Sequence, residues 1–127
     1  MRVLLDTHTA IWFLNGDCDL SENAKSNILS RKNIKYVSIA SVWELAIKIG
    51  LKKLNFRGGT RGFVELLEDN GIEIIPISAK HLFELECLPM FHRDPFDRII
   101  ISTAISEKMV LISTDTNISS YSVKTLW

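Results

Sequence analysis

The chain reads as short apolar runs separated by amphipathic stretches. Val3 to Leu5 is an unbroken apolar run that meets Asp6, the pattern of a strand buried on both faces. Asp6-Thr7 then opens a helix carrying Ala10, Ile11, Phe13 and Leu14, and Ser21 with Glu22 and Ala24 starts a second through Ile28 and Leu29. Tyr36 to Ile39 reads as the next strand, followed by a helix from Ser41 to Ile49 with Gly50 as its stop. Phe63, Leu66 and Leu67 mark a helix ended by Asn70-Gly71, and Ile72 to Ile75 is a strand stopped by Pro76. Ser78 caps a helix with His81, Leu82 and Leu85. Asp94-Pro95 opens a long helix that includes the β-branched Ile99-Ile100-Ile101, because the start signal is good and Ser102 to Lys108 continues without a break. Val110 to Ser113 is a strand, and Ser122 to Leu126 is expected as the last. Strands alternating with helices predict an α/β fold with a central parallel sheet of four to five strands flanked by helices.

At 127 residues, a single domain over 1–127 is expected, with one core. Fifteen basic residues balance fifteen acidic ones. This excludes a protein that coats nucleic acid through bulk charge, and leaves a local patch or a bound metal as the route to phosphate. No apolar run approaches the roughly 18 residues of a membrane span, and the N-terminus meets Asp6 too early for a signal peptide. Cys18 and Cys87 form no CxxC pair, so a cytoplasmic protein with reduced cysteines and no zinc site is expected.

The acids carry the chemistry. In an open parallel sheet, ligands bind beyond the carboxyl ends of the strands. Asp6 follows the first strand directly, and Asp115 follows the strand at 110–113. Glu44 lies about one turn into the helix after the second strand, and Asp97 in the first turn of the helix leading into the strand at 110. Helices joining parallel strands start at that same edge, so four acids converge on one rim. Each has an ordinary alternative: Asp6 and Asp94 as helix caps, Glu44 paired with Lys48, Asp115 opening a turn. Two carboxylates about 5 Å apart repel by roughly 3 kcal/mol at an effective dielectric of 20, and no buried lysine is evidently placed to offset this. A divalent cation with all-oxygen ligands, Mg²⁺ or Mn²⁺, is the economical answer.

Leu4-Leu5-Asp6-Thr7-His8, Ser41 to Lys48, His92-Arg93-Asp94-Pro95-Phe96-Asp97-Arg98 and Ser113-Thr114-Asp115, in that order along the chain, resemble the PIN-domain ribonucleases. Within them the chain is similar to the VapC-type toxins of toxin–antitoxin pairs. The family's pattern Asp-x-x-Ile-x-x-x-Ala matches Asp97, Ile100 and Ala104, which favours Asp97 over Asp94 as the third acid. The resemblance implies a three-layer PIN domain and Mg²⁺- or Mn²⁺-dependent endoribonuclease activity. Asp6, Glu44 and Asp97 would hold one or two ions, and Asp115 would complete the rim. It also implies a cognate antitoxin partner, an RNA substrate, a homodimer and no membrane association. Because a metal lowers the pKa of water, hydrolysis needs no 2′-hydroxyl, and 5′-phosphate and 3′-hydroxyl ends are expected.

Asp94, Thr7, Thr114 and Arg98 are secondary candidates: Asp94 as a cap near the metal, the two threonines as hydroxyls that orient a carboxylate, and Arg98, with Arg93, as a phosphate contact. Lys48, Lys52, Lys53, Arg57 and Arg61 form a basic stretch that is either an RNA track or a solvated face. Trp12, Phe13 and Trp43 fall at apolar helical positions and are expected in the core, while His81 and His92 form no ligand spacing with the acids. Two rival functions stand beside the nuclease. One is a phosphoryl-transfer domain, phosphatase- or receiver-like, with Asp6 as nucleophile, though His8 replaces the second Asp of the phosphatase loop. The other is a non-catalytic PIN-like binding module.

Overall fold

A computed structural model describes residues 1–127. Its centre is a five-stranded, wholly parallel sheet in the order β3-β2-β1-β4-β5. The strands are β1 (Arg2–Leu5), β2 (Ile34–Ser38), β3 (Ile72–Ile75), β4 (Val110–Ile112) and β5 (Thr125–Leu126). The helices are α1 (Thr7–Asn15), α2 (Glu22–Leu29), α3 (Ile39–Gly50), α4 (Gly59–Asp69), α5 (Ala79–Cys87) and α6 (Pro95–Glu107), with a 3₁₀ turn over Thr116–Ser120.

Period-2 alternation divides the core between two faces. Val3 and Leu5 of β1 pack with Ala10, Ile28, Leu45, Phe63 and Leu67, so α1 to α4 cover that face. Leu4 points the other way and packs with Ile100, Ile101 and Ala104 of α6, next to Leu85 of α5. The result is three layers. β1 is buried on both sides, which explains its continuous apolar run. Ile99 to Ile101 are helical as expected: Asp94 caps α6 by accepting from the Phe96 and Asp97 N–H groups, Pro95 occupies the first turn, and tertiary burial outweighs β-branching.

Several boundaries differ from the sequence reading: β2 begins at Ile34 and β4 ends at Ile112, and three further differences have a visible cause or extent. Ile39 is the first residue of α3 rather than the end of a strand, because Ser38 caps that helix through the Ala40 N–H. Gly50 is still helical, and the left-handed residue beyond the helix is Lys52, at φ 58°. The last strand is only Thr125–Leu126. The glycine-rich loop ends at α4, where a Cβ on Gly62 would strike the Arg57 carbonyl oxygen, so only glycine fits that turn. No helix is long and apolar enough to cross a membrane.

The chain leaves β1 for β2 and β3 on one side and returns to β4 and β5 on the other. The topological switch therefore lies between the carboxyl ends of β1 and β4, where such sheets open a crevice.

Candidate active site

Asp6 is the residue that ends β1 and caps α1, which places its carboxylate at the switch point. Its Oδ1 accepts from the Thr9 N–H at 2.8 Å, and its Oδ2 accepts from the Ser113 hydroxyl at the end of β4. Ser113 Oγ in turn accepts from the Asp115 N–H at 3.1 Å, so one hydroxyl ties the acids of two strands together. Asp115 caps the 3₁₀ turn through the Asn117 N–H at 2.9 Å, which leaves its Oδ2 facing the rim.

Glu44 reaches the same edge from α3. Ser41 and Glu44 are three residues apart, on the helix face turned toward α1. The Thr7 hydroxyl donates to Glu44 Oε1 at 2.7 Å, and Thr7 Oγ1 lies 2.9 Å from Ser41 Oγ. Glu44 is only 4% exposed and Asp6 only 7%. Burying carboxylates this deeply without compensation is costly. The pairing of Glu44 with Lys48 that the spacing allows is present: Lys48 Nζ lies 2.8 Å from Glu44 Oε2, with the lysine side chain partly exposed. That hydrogen bond, reinforced by the charges of Glu44, Asp94 and Asp97, holds the lysine's pKa above its ordinary value.

Asp97 lies at the same edge, half-buried. Burial, then the neighbouring charge of Asp94, pushes its carboxyl up from 3.8 to about 7, and Glu44 and Asp6 add to the rise. Carboxylates from β1, α3 and α6 therefore contribute to one electrostatic environment.

The sequence reading missed two side chains here. His92 was set aside for lack of ligand spacing, yet its Nε2 lies 2.9 Å from Asp115 Oδ2 and 3.2 Å from Asp97 Oδ2. His92, Asp97 and Asp115 each offer a ligand atom within 4.8 Å of the others. Ser113 was passed over for Thr114, but Thr114 is exposed and its hydroxyl makes no hydrogen bond, whereas Ser113 is buried. Neighbouring residues at a strand end point to opposite faces, and only the register of β4 decides which hydroxyl turns inward.

Two further expectations need correction. Arg98 does not face the rim as a phosphate contact. Its guanidinium donates to the carbonyls of Leu88, Pro89 and His92, closing the loop ahead of α6. Trp43 is not core but 60% exposed, edge-on to Phe96 with ring centroids 5.1 Å apart. Burying Ser41, Glu44 and Leu45 turns Trp43 and Ile47 outward on the opposite side of α3. Trp43 lines a groove of about 230 Å³ with Ile77, Leu82, Leu85, Phe96 and Ile99. Trp12 does pack against the core, between His8 and Trp127. His81 is buried: its Nδ1 accepts from the Ser78 N–H, which directs Nε2–H toward Glu107, 3.0 Å away and far from the rim.

Comparison with known proteins supplies the family. No match is found among curated protein sequences. Solved structures do match. A chain of VapBC2 from Rickettsia felis, bound to a DNA fragment from its promoter, is 20% identical with a TM-score of 0.76, covering 99% of this chain and 98% of that one. A chain of DNA-bound VapBC from Salmonella typhimurium is 15% identical with a TM-score of 0.68, covering 99% and 97%. The PIN domain endonuclease Utp24 is 20% identical with a TM-score of 0.53, covering 93% of this chain and 74% of that one. At these identities the likeness is one of fold. The PIN domain family model, however, matches residues 3–124, nearly the whole chain, and the chain therefore belongs to the PIN domain family.

Proposed function

We propose that this chain is a divalent-metal-dependent endoribonuclease acting as the VapC-type toxin of a toxin–antitoxin pair. The observation that carries the proposal is the linked placement of four acids at the β1/β4 switch point: Ser113 bridges Asp6 and Asp115, His92 lies between Asp115 and Asp97, and Thr7, next to Asp6, donates to Glu44. The family match supports it over a phosphoryl-acceptor role for Asp6.

A divalent ion fits these residues. The donors that Asp6, Glu44 and Asp97 offer are all carboxylate oxygens, the set that Mg²⁺ and Mn²⁺ prefer, and the side chains whose ligand atoms already lie within 4.8 Å of one another are His92, Asp97 and Asp115. Four carboxylates stand at this edge with Lys48 as the one lysine paired to them. When bound, the ion supplies Lewis acidity to the phosphoryl oxygens and to the attacking water. The chain's own groups do the positioning. Thr7 fixes the rotamer of Glu44, and the Thr9 N–H with Ser113 fixes that of Asp6. Lys48 stands at the cluster with its ammonium partly exposed, placed to meet a phosphate oxygen. Arg93 is exposed and free of ion pairs beside the same acids, and Lys52, Lys53, Arg57 and Arg61 are exposed to follow the RNA backbone.

The partner fits the apolar groove. Trp43 and Phe96 line it, and each is followed in sequence by a site acid, Glu44 and Asp97. An antitoxin segment could seat apolar side chains there and extend a basic one to the carboxylates, which joins hydrophobic burial to charge complementarity. Among solved structures of this fold, VapBC-5 from Mycobacterium tuberculosis is a member of the VapBC family of toxin-antitoxin systems.

The proposal is tested by incubating the purified protein with RNA in Mn²⁺ or Mg²⁺ and sequencing the ends. Internal cuts with 5′-phosphate and 3′-hydroxyl termini, lost on chelation, are expected. Products with 2′,3′-cyclic phosphates would reject it.

A further inference from the structure

His92 is held more firmly than its loop position requires. Its backbone N–H donates to the Tyr121 hydroxyl at 2.7 Å, and its carbonyl accepts from Arg98 at 3.3 Å. Its ring is held as well. Nδ1 accepts from the Asp94 N–H at 3.1 Å, and Nε2 faces Asp115 and Asp97. A backbone amide is only ever a donor, so Nδ1 must present its lone pair and the ring proton must sit on Nε2. Moving that proton to Nδ1 would set two N–H groups against each other. The ring is also 14% exposed, which leaves little room for it to turn away.

The geometry points to His92 as a positioning residue: a fixed-tautomer Nε2–H donor that holds the Asp115 carboxylate beside that of Asp97, and not itself a metal ligand. A ligand nitrogen needs a free lone pair, and the Asp94 N–H denies one to Nε2. Nε2–H donates to Asp115 Oδ2, with Asp97 Oδ2 3.2 Å from the same nitrogen, which leaves Asp97 Oδ1 free for an ion. Asp94 thereby gains a second task. Its side chain caps α6 while its backbone N–H sets the His92 tautomer. The inference deepens the nuclease reading and rests on it for the ion.

The test reads the tautomer first. ¹⁵N NMR of the His92 ring should show a protonated Nε2 and a bare Nδ1 in metal-free protein, unchanged at saturating Mg²⁺. A proton on Nδ1 in metal-free protein would overturn the inference whether or not the protein binds metal, as would loss of the Nε2 proton on adding Mg²⁺. Mn²⁺ affinity reads the positioning. His92→Ala should weaken it roughly 10–100-fold, the usual effect of removing a group that orients a ligand. His92→Gln, which restores an N–H donor, should recover most of the loss. Wild-type affinity in a folded His92→Ala protein would overturn the positioning role. Absence of Mn²⁺ binding by the wild-type protein would instead sink the nuclease reading, with the tautomer still deciding the hydrogen bonds.

Discussion

Replacing Asp97 with asparagine should lower RNA cleavage by about 10²–10³-fold while making the metal-free protein more stable. Both effects come from one carboxylate. A metal contributes several kcal/mol of charge stabilisation in the transition state, and every 1.36 kcal/mol lost is about tenfold in rate. The stability effect follows from linkage. Asp97 has an ordinary pKa of 3.8 in the unfolded chain and about 7 in the fold. Between those values the native state binds more protons than the unfolded state, so stability falls as pH rises from about 4 through 7, and the full loss is present above 7. The displacement from 3.8 to about 7 corresponds to about 4 kcal/mol as an upper bound. With the side chain 26% exposed, screening by solvent reduces this to about 2 kcal/mol. Urea unfolding in EDTA should therefore show Asp97→Asn more stable than wild type by about that much at pH 8 and equal to it near pH 4. Saturating Mn²⁺ should reverse the order, because the ion stabilises the form that holds it. A variant that is less stable at every pH and cleaves RNA normally would remove Asp97 from the site.

Ser113→Ala should weaken Mn²⁺ binding roughly 10–100-fold. Ser113 is buried at the end of β4, donates to Asp6 Oδ2 and accepts from the Asp115 N–H. Alanine leaves the Asp6 carboxylate one donor short and the Asp115 N–H without its partner, which costs about 1–3 kcal/mol of stability. The larger consequence is for Asp6, which then keeps only the Thr9 N–H to fix its orientation. Ser113→Thr retains the hydroxyl and should bind the ion close to wild type. Thr114→Ala, which removes an exposed hydroxyl without a partner, should change nothing. Calorimetric titration of the three variants with Mn²⁺ separates these outcomes. Equal affinity for Ser113→Ala and wild type would deny Ser113 its role.

The layer architecture and the convergence of the acids were legible because both follow from period and topology. A strand such as Val3 to Leu5, apolar at every position, has to be covered on both faces, and parallel strands have to send their carboxyl ends to one edge. The orientation of individual side chains was not legible. On α3 the apolar pattern alone would bury Trp43 and Ile47, but the site claims the opposite face and buries Ser41 and Glu44 instead. A helix that carries buried polar groups breaks the rule by which amphipathicity is read. Ser113 and Thr114 differ by one residue of register, which sequence does not resolve at the end of a three-residue strand. His92 has no ligand spacing in sequence because it meets Asp115, 23 residues away, through a loop held by Arg98 and Tyr121. Arg98 looked like a substrate contact for a related reason. Nothing local reveals that three loop carbonyls claim its guanidinium.

Anomalous scattering from a Mn²⁺-soaked crystal tests the central claim most directly. A peak is expected within about 2.1 Å of carboxylate oxygens from Asp6, Glu44 and Asp97, the distance for a hard, octahedral ion, with His92 Nε2 outside bonding range. Manganese bound only at the exposed Asp17-Cys18-Asp19 cluster, or no manganese between the three acids, would contradict it.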